Sequence, residues 1–558
     1  VALNMGFSWC VLFGCLVVSG WGLPLRPTET KFEMIAGLPL RNLDQLEALF
    51  WRVADPEDPE YLKHRQVPEL AELIGADQQE LDTIRDWFLA QGADASSVRV
   101  SPLRDTVTAA FSAQPANWSS NGIPLAASHP VALDFLLRRD FDAPLLAAPV
   151  RKSVEPEAMY TISQQKKAYG IDVDLQASNE TTLQMVWGPG TFGYSKAQLE
   201  VFKLSQCPHL NMDKVKFDTE NHGESGGDNY GEGNLDTKMI SAFGLNVETL
   251  VSNTNASSST EEGNGFGQAL LDFITQLSSR PTVPQVLSLS LGSLSGYSCD
   301  LLCNEASKEG HSLQECQDFL QEQRQVCMFL SQDQVARINV ALQVLGVRGV
   351  SIFGSSGDGG SHFSFGPFSG GPMADVLNDI SCKFQIPVFP ASSPYIVAVG
   401  GTQWKGGDPS TPEAWPGSGG GFSWQFAMPS HQVATVDQYL SSTSGLPPLS
   451  SFNRSGRAYP DMSAVSLDGT SQSSPTVAGI WSLLMDHRLN MGLPPLGFLG
   501  TRMYKVATEF PGEAFESVSS GNTQTSCDNG FPAADGWDPV TGWGRPVWAG
   551  MLKHFGSD

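Results

Sequence analysis

Three short segments of this chain carry residues whose types and spacing could do chemistry. In the first, Gly469-Thr470-Ser471-Gln472-Ser473-Ser474-Pro475 is followed by Val477, Ala478, Ile480, Trp481 and Leu484 at helical spacing. Ser471 is therefore predicted just before or within the first turn of a buried helix, whose free N–H groups can stabilise a developing negative charge. That makes Ser471 a candidate nucleophile, although an ordinary serine-rich helix cap has the same pattern. Pro475 is tolerated on this reading because early helical N–H groups have no partner within the helix.

A serine nucleophile needs a base. Subtilisins use a histidine in a His-Gly-Thr-His-like motif, and His222, in Asn221-His222-Gly223-Glu224, does not match it; no other histidine is a candidate. Glu232 and Asp236 are four apart, on one predicted helical face that Leu235, Met239 and Ile240 would bury. Two carboxylates so placed do not easily both ionise, so one could accept the serine proton while the other orients it. The bland alternative is a solvated helix start, where acids suit the dipole. Glu224 and Asp228 have the same spacing, but Gly223, Gly226 and Gly227 argue against a helix there. The third segment, Gly354-Ser355-Ser356-Gly357-Asp358-Gly359-Gly360, follows an apolar strand. Asp358 is either a turn residue or a neutral acid that donates a hydrogen bond to an oxyanion.

The elements that must position these groups form two units. Phe32 to Leu40 reads as a strand, Leu43 to Val53 as a helix ending at Asp55-Pro56, Leu81 to Phe88 as a second helix, and Val98 to Val100 as another strand. This α+β unit runs to about residue 150, where Pro144, Pro149, Arg151 and Lys152 suggest a linker. Beyond it strands alternate with helices, as in Val286 to Leu291, Val335 to Leu345 and Val347 to Phe353. Such alternation favours a parallel sheet covered on both faces, with functional groups at the strand ends.

The 558 residues exceed one ordinary core, and 41% apolar with 17% charged residues is a globular composition. A net charge of −25 argues against nucleic acid as a partner. Phe7 to Val18 with Ser19 and Gly20 reads as a signal peptide over residues 1–22, too short to span a bilayer, so no membrane attachment is expected once it is removed. Sequons at Asn117, Asn179, Asn255 and Asn453 fit a secretory route. Cys10 and Cys15 would leave with the leader. The seven remaining cysteines imply disulfides and at least one unpaired thiol rather than a metal site.

Taken together, the three segments resemble the sedolisin family of serine-carboxyl peptidases. The family's G-T-S-x-x-x-P motif falls on Gly469, Thr470, Ser471 and Pro475, its E-x-x-x-D pair on Glu232 and Asp236, and its S-G-D-x-G motif on Ser356, Gly357, Asp358 and Gly360, shifted by one glycine at the end. The resemblance extends to Phe389-Pro390-Ala391-Ser392-Ser393-Pro394-Tyr395, to Gly456-Arg457-Ala458-Tyr459-Pro460-Asp461 and to Gly536-Trp537-Asp538-Pro539, and so covers nearly the whole chain. It implies a subtilisin-like doubly wound parallel sheet over residues 151–558, preceded by an α+β ferredoxin-like activation pro-domain over residues 23–150 that acts as an intramolecular inhibitor. It also implies a secreted or lysosomal acid peptidase made as a zymogen, with peptides or unfolded proteins as substrates. In that mechanism Ser471 attacks, Glu232 takes the proton, Asp236 orients Glu232 and Asp358 assists the oxyanion. Release of tripeptides and internal cleavage are both compatible with the family, and so is a catalytically silent homologue acting as a binding protein. Cys382 with Cys527 is the bridge that the resemblance implies.

Two departures follow from the same comparison. The family's calcium site uses the Asp of an F-x-D-[IV] segment, backbone carbonyls and the Asp of G-W-D-P. Here Phe515-Glu516-Ser517-Val518 puts Ser517 at the first Asp, leaving Ser517, Val518, Gly536 and Asp538 to hold Ca²⁺ with one carboxylate fewer. The chain also has only Met462 to Asp468 where the family inserts a hairpin before G-T-S. The Cys299 to Cys327 segment reads as a local insertion.

Overall fold

The computed structural model describes residues 32–113, 118, 130, 132–140, 160–218, 231–254, 265–322, 327–328, 330–362, 368–467, 469–525 and 527–557. The leader, the linker residues Pro144, Pro149, Arg151 and Lys152, His222, the pair Glu224 and Asp228, the sequons at Asn117 and Asn255, and Asp468 lie outside the described residues.

The N-terminal unit is a four-stranded antiparallel sheet in the order Arg99–Val100, Thr106–Phe111, Phe32–Gly37, Phe135–Asp140. Three helices accompany it: Leu43–Ala54, Val67–Ile74 and Gln78–Ala90. The second and third start with capping boxes, Gln66 with Glu69 and Asp77 with Glu80, which satisfy end N–H groups that the helix itself cannot. Strand period sorts the central strand: Phe32, Met34 and Ala36 pack with Leu81, Ile84 and Phe88, whereas Ile35 joins the core of the larger unit. The Val67–Ile74 helix and the strands Thr106–Phe111 and Phe135–Asp140 were not legible in the sequence pattern.

The larger unit is an eight-stranded sheet. Its path runs Pro412–Ala414, Val397–Trp404, Ser351–Ser355, Val286–Leu289, Leu183–Pro189, Glu248–Thr254, Val215–Phe217, with Met462–Val465 also paired to Val397–Trp404. Every pairing except that of Pro412–Ala414 is parallel. Helices Gly231–Phe243 and Thr470–Asn490 contribute to one hydrophobic core, and Gly265–Ser279 and Gln332–Val347 to a second on which Ile35, Phe135 and Leu137 of the N-terminal unit also pack. One boundary differs from expectation: Val347 ends the helix, and the strand begins only at Ser351, because the chain turns at Arg348 and at Gly349 with φ 95°.

The N-terminal unit is fastened to these helices by buried ion pairs and by a knob. Arg139 lies between Glu33, at 3.2 Å, and Asp272, at 2.7 Å, and Arg337 meets Asp105 at 2.8 Å. The Phe50 ring sits on bare backbone at Gly346, where a Cβ would come within 2.5 Å of it.

The insertion is a helical hairpin, Gly296–Lys308 and Leu313–Glu322, joined by Cys303–Cys316 and tied back by Cys299–Cys327. Its core includes Leu302, Cys316 and Leu320 together with Leu377 and Ile380 of helix Pro372–Phe384. Cys382 and Cys527 are bonded, as the family resemblance implies, and among the described residues Cys207 is the free thiol, buried.

Candidate active site

The acid pair and the nucleophile come from two helices in close contact. Helix Thr470–Asn490 starts at Thr470, so Ser471 is in its first turn, and Glu232 and Asp236 are one turn apart on Gly231–Phe243. Glu232 is 3% exposed, Asp236 0% and Ser471 2%, which rules out a solvated helix start. Bare glycine sets the approach of the two helices: a Cβ on Gly479 would lie 2.7 Å from the backbone oxygen of Ile240 and from the backbone nitrogen of Gly244. At the other end of the acid helix a Cβ on Gly233 would lie 2.1 Å from the Gly193 carbonyl oxygen, and Asn234 accepts the Ser195 N–H at 2.8 Å. Met239 and Ile240 are buried and Leu235 packs beside them, as the sequence pattern predicts.

The segment before Ser471 holds no hairpin among its described residues. Strand Met462–Val465 pairs in parallel with Val397–Trp404, and the Ser466 hydroxyl both accepts the Gly469 N–H at 3.0 Å and donates to the Gly469 carbonyl at 2.6 Å. Gly469 at the N-cap brings no side-chain oxygen to the free N–H groups of the first turn. Asp358 supplies one from another strand: its Oδ1 accepts the Thr470 N–H at 2.7 Å and the Thr470 hydroxyl at 2.9 Å. The Asp358 turn is backed by Gly419, whose N–H donates to Gly357 at 2.8 Å and whose position leaves no room for a Cβ beside Ser356.

Pro475 has a different place from the one expected of it. The helix starts at Thr470, so Pro475 lies in the second turn, and the N–H it lacks is the one that would meet the Ser471 carbonyl. The Ser290 hydroxyl reaches that carbonyl instead, at 3.4 Å, while the Ser471 hydroxyl donates to the Ser290 carbonyl at 3.3 Å. The Ser288 and Ser474 hydroxyls meet each other at 3.0 Å. Sequence reasoning missed Ser288 and Ser290, although serines two apart in an otherwise apolar strand are a signal: both fall on one face, and Ser471 and Ser474 share one helical face to meet them.

The residues expected to hold calcium also converge. Asp538 is fully buried, its Oδ1 accepting the Val540 and Thr541 N–H groups at 2.9 and 2.8 Å and its Oδ2 the Ala534 N–H at 3.0 Å. Burial pushes its carboxyl up to about 7. The Ser517 hydroxyl accepts the Gly536 N–H at 3.1 Å and lies 3.4 Å from the carbonyls of Ala534 and Gly536, and the Thr541 hydroxyl lies 3.4 Å from that of Val518. This donor set fits a weak calcium site: several carbonyls, one hydroxyl and one carboxylate already rich in hydrogen bonds. Among the described residues, the single group of three or more His, Cys, Asp or Glu close enough to share an ion is His362, Cys382 and Cys527, and its two cysteines form a disulfide.

Residues 24–118 match the family model "Pro-kumamolisin, activation domain". Rat tripeptidyl-peptidase 1 is 30% identical to this chain over 96% of the chain and 93% of the relative, and the human protein is 29% identical over the same shares. The chain belongs to the sedolisin family of serine-carboxyl peptidases. It is an acid-acting serine-type peptidase made as a zymogen. Among solved structures, a Pseudomonas sedolisin complexed with two molecules of pseudo-iodotyrostatin aligns over 71% of this chain and 98% of its own, at 21% identity and a TM-score of 0.48. Calcium binding is a general property of the sedolisin family. No helix among the described residues is long and apolar enough to cross a membrane.

Proposed function

We propose that this sedolisin releases tripeptides from the N-termini of unfolded proteins and peptides, with Ser471, Glu232 and Asp236 as its triad and Asp358 as oxyanion donor. The observation that carries the assignment is the burial of both carboxylates on a helix pressed against the nucleophile's helix, with Asp358 bonded to the residue before Ser471. The Ser471 hydroxyl turns from the Ser290 carbonyl toward Glu232, which takes its proton as Oγ attacks the peptide carbonyl. The oxyanion forms beside Asp358 and the Ser471 N–H. Collapse expels the amine, protonated by Glu232, and water then hydrolyses the ester. A carboxylate base suits acid, where histidine would be protonated.

Residues 23–150 act as the inhibitory pro-domain of the 151–558 catalytic domain, and the protein reaches the lysosome or the cell exterior after loss of its leader. Asp538, Ser517 and the carbonyls of Val518 and Gly536 would hold calcium, which when bound cross-links the C-terminal loop. The test is incubation of the purified precursor at about pH 4, within the carboxylate range, beside a Ser471→Ala variant, with products read by mass spectrometry. Three-residue products from the wild type alone are expected. Internal fragments would instead make it an endopeptidase, and a wild type as inert as the variant would overturn the site.

A further inference from the structure

The residue before the nucleophile has two hydrogen-bond donors, and both reach the oxyanion acid. Thr470 is 1% exposed. Its N–H and hydroxyl reach the same Asp358 oxygen, at 2.7 and 2.9 Å, both shorter than the Ser471–Ser290 contacts around them. The hydroxyl has one hydrogen, for which the Gly357 carbonyl at 3.2 Å is the longer alternative to Asp358, and its oxygen in turn accepts the Gly357 N–H at 3.1 Å. One side chain thus joins the N-terminus of the nucleophile helix to the turn that carries the acid, on a different strand. Ser471 is attached to the same helix turn, so the distance between the attacking oxygen and the acid is fixed through Thr470.

We infer that Thr470 is a positioning residue of this peptidase, holding Asp358 at the place where the oxyanion of the tetrahedral intermediate forms. The inference rests on the site proposed above. With Oδ1 held twice by Thr470, the rotation of the Asp358 carboxyl is restricted. An acid free to rotate would meet the ground-state carbonyl as readily as before but would lose alignment with the tetrahedral oxygen, so the cost falls on the chemical step.

The test compares acid-activated full-length wild type with Thr470→Val, Thr470→Ser and Ser471→Ala. Thermal melts identify folded protein, and Thr470→Ala replaces the valine variant if the latter does not fold. Valine keeps the branched shape and removes the hydroxyl. Expected is a fall in kcat of about 10- to 100-fold with KM within about twofold, since a misplaced donor costs on the order of 100-fold. Inhibition by a tripeptide aldehyde, whose adduct with Ser471 resembles the intermediate, should weaken by the same factor. Serine should restore both to within about threefold. The inference is overturned if Thr470→Val turns over like wild type, if KM rises in place of the fall in kcat, or if aldehyde affinity is unchanged while kcat falls. Ser471→Ala separates the two levels: if it is inert the triad stands whatever Thr470 does, and if it remains active the site itself is wrong.

Discussion

The contact between the two catalytic helices and the C-terminal loop around Asp538 are held by different means. Between the helices the spacing is set by backbone against backbone, at Gly479 on Ile240 and Gly244, and the acid helix meets the Gly193 backbone at Gly233 in the same bare way, so a larger residue at either glycine displaces the helix that carries the acid pair. In the loop the geometry is set by side-chain hydrogen bonds among Ser517, Asp538 and Thr541, where one polar group can stand in for another. The family resemblance puts the acid pair and the nucleophile at the helix contact, and puts Ser517 in the loop where the family's motif has a carboxylate. Close backbone packing leaves no space for an added side-chain atom, whereas a polar network leaves room for a different polar group.

The sharpest way to break this comparison is at the chemistry. Glu232→Gln should lower kcat by about 10²- to 10⁴-fold in acid, and Asp236→Asn by less, as removal of a base and of its orienting partner. Folded variants with wild-type turnover would show that the buried pair is only structural. Gly479→Val comes next. It should lower turnover about 100-fold and stability by about 1–3 kcal/mol by forcing the helices apart, in kinetics and in denaturant melts. A smaller effect concerns pH. Burial holds the His362 imidazole down to about 4, below its ordinary range. The unfolded chain then binds the proton first, so stability falls as pH drops from about 6.5 toward 4. His362→Asn, which can still meet Ser381, should flatten that fall by on the order of 2 kcal/mol. The smallest expected effect lies in the loop: Ser517→Asp should give a thermal midpoint that rises by a few degrees with millimolar Ca²⁺, against little change in the wild type.

The placement of the candidate residues was legible because it obeys local rules. Glu232 and Asp236 share a face by helical period, Ser471 opens a helix as its apolar spacing says, and Asp358 follows its strand. What was not legible depends on partners distant in sequence. Nothing near Gly479 says that it faces Gly244, and nothing near Pro475 says that Ser290 supplies the missing contact to Ser471. The strand Phe135–Asp140 exists by pairing with Phe32–Gly37 a hundred residues earlier. The partners of Cys299 and Cys303 depend on a hairpin whose packing surface, helix Pro372–Phe384, comes later in the chain.

That hairpin has a consequence for survival among peptidases. It hangs from the end of strand Val286–Leu289, a few residues beyond Ser290, and its small core is of the size that opens locally long before a whole domain unfolds. A peptidase cuts such a segment in its open state, so resistance depends on how rarely it opens. Two covalent loops restrict the open ensemble and leave few extended conformations that another active site could grip. Two covalent links therefore keep this hairpin, a few residues beyond Ser290, from becoming an easy point of cleavage.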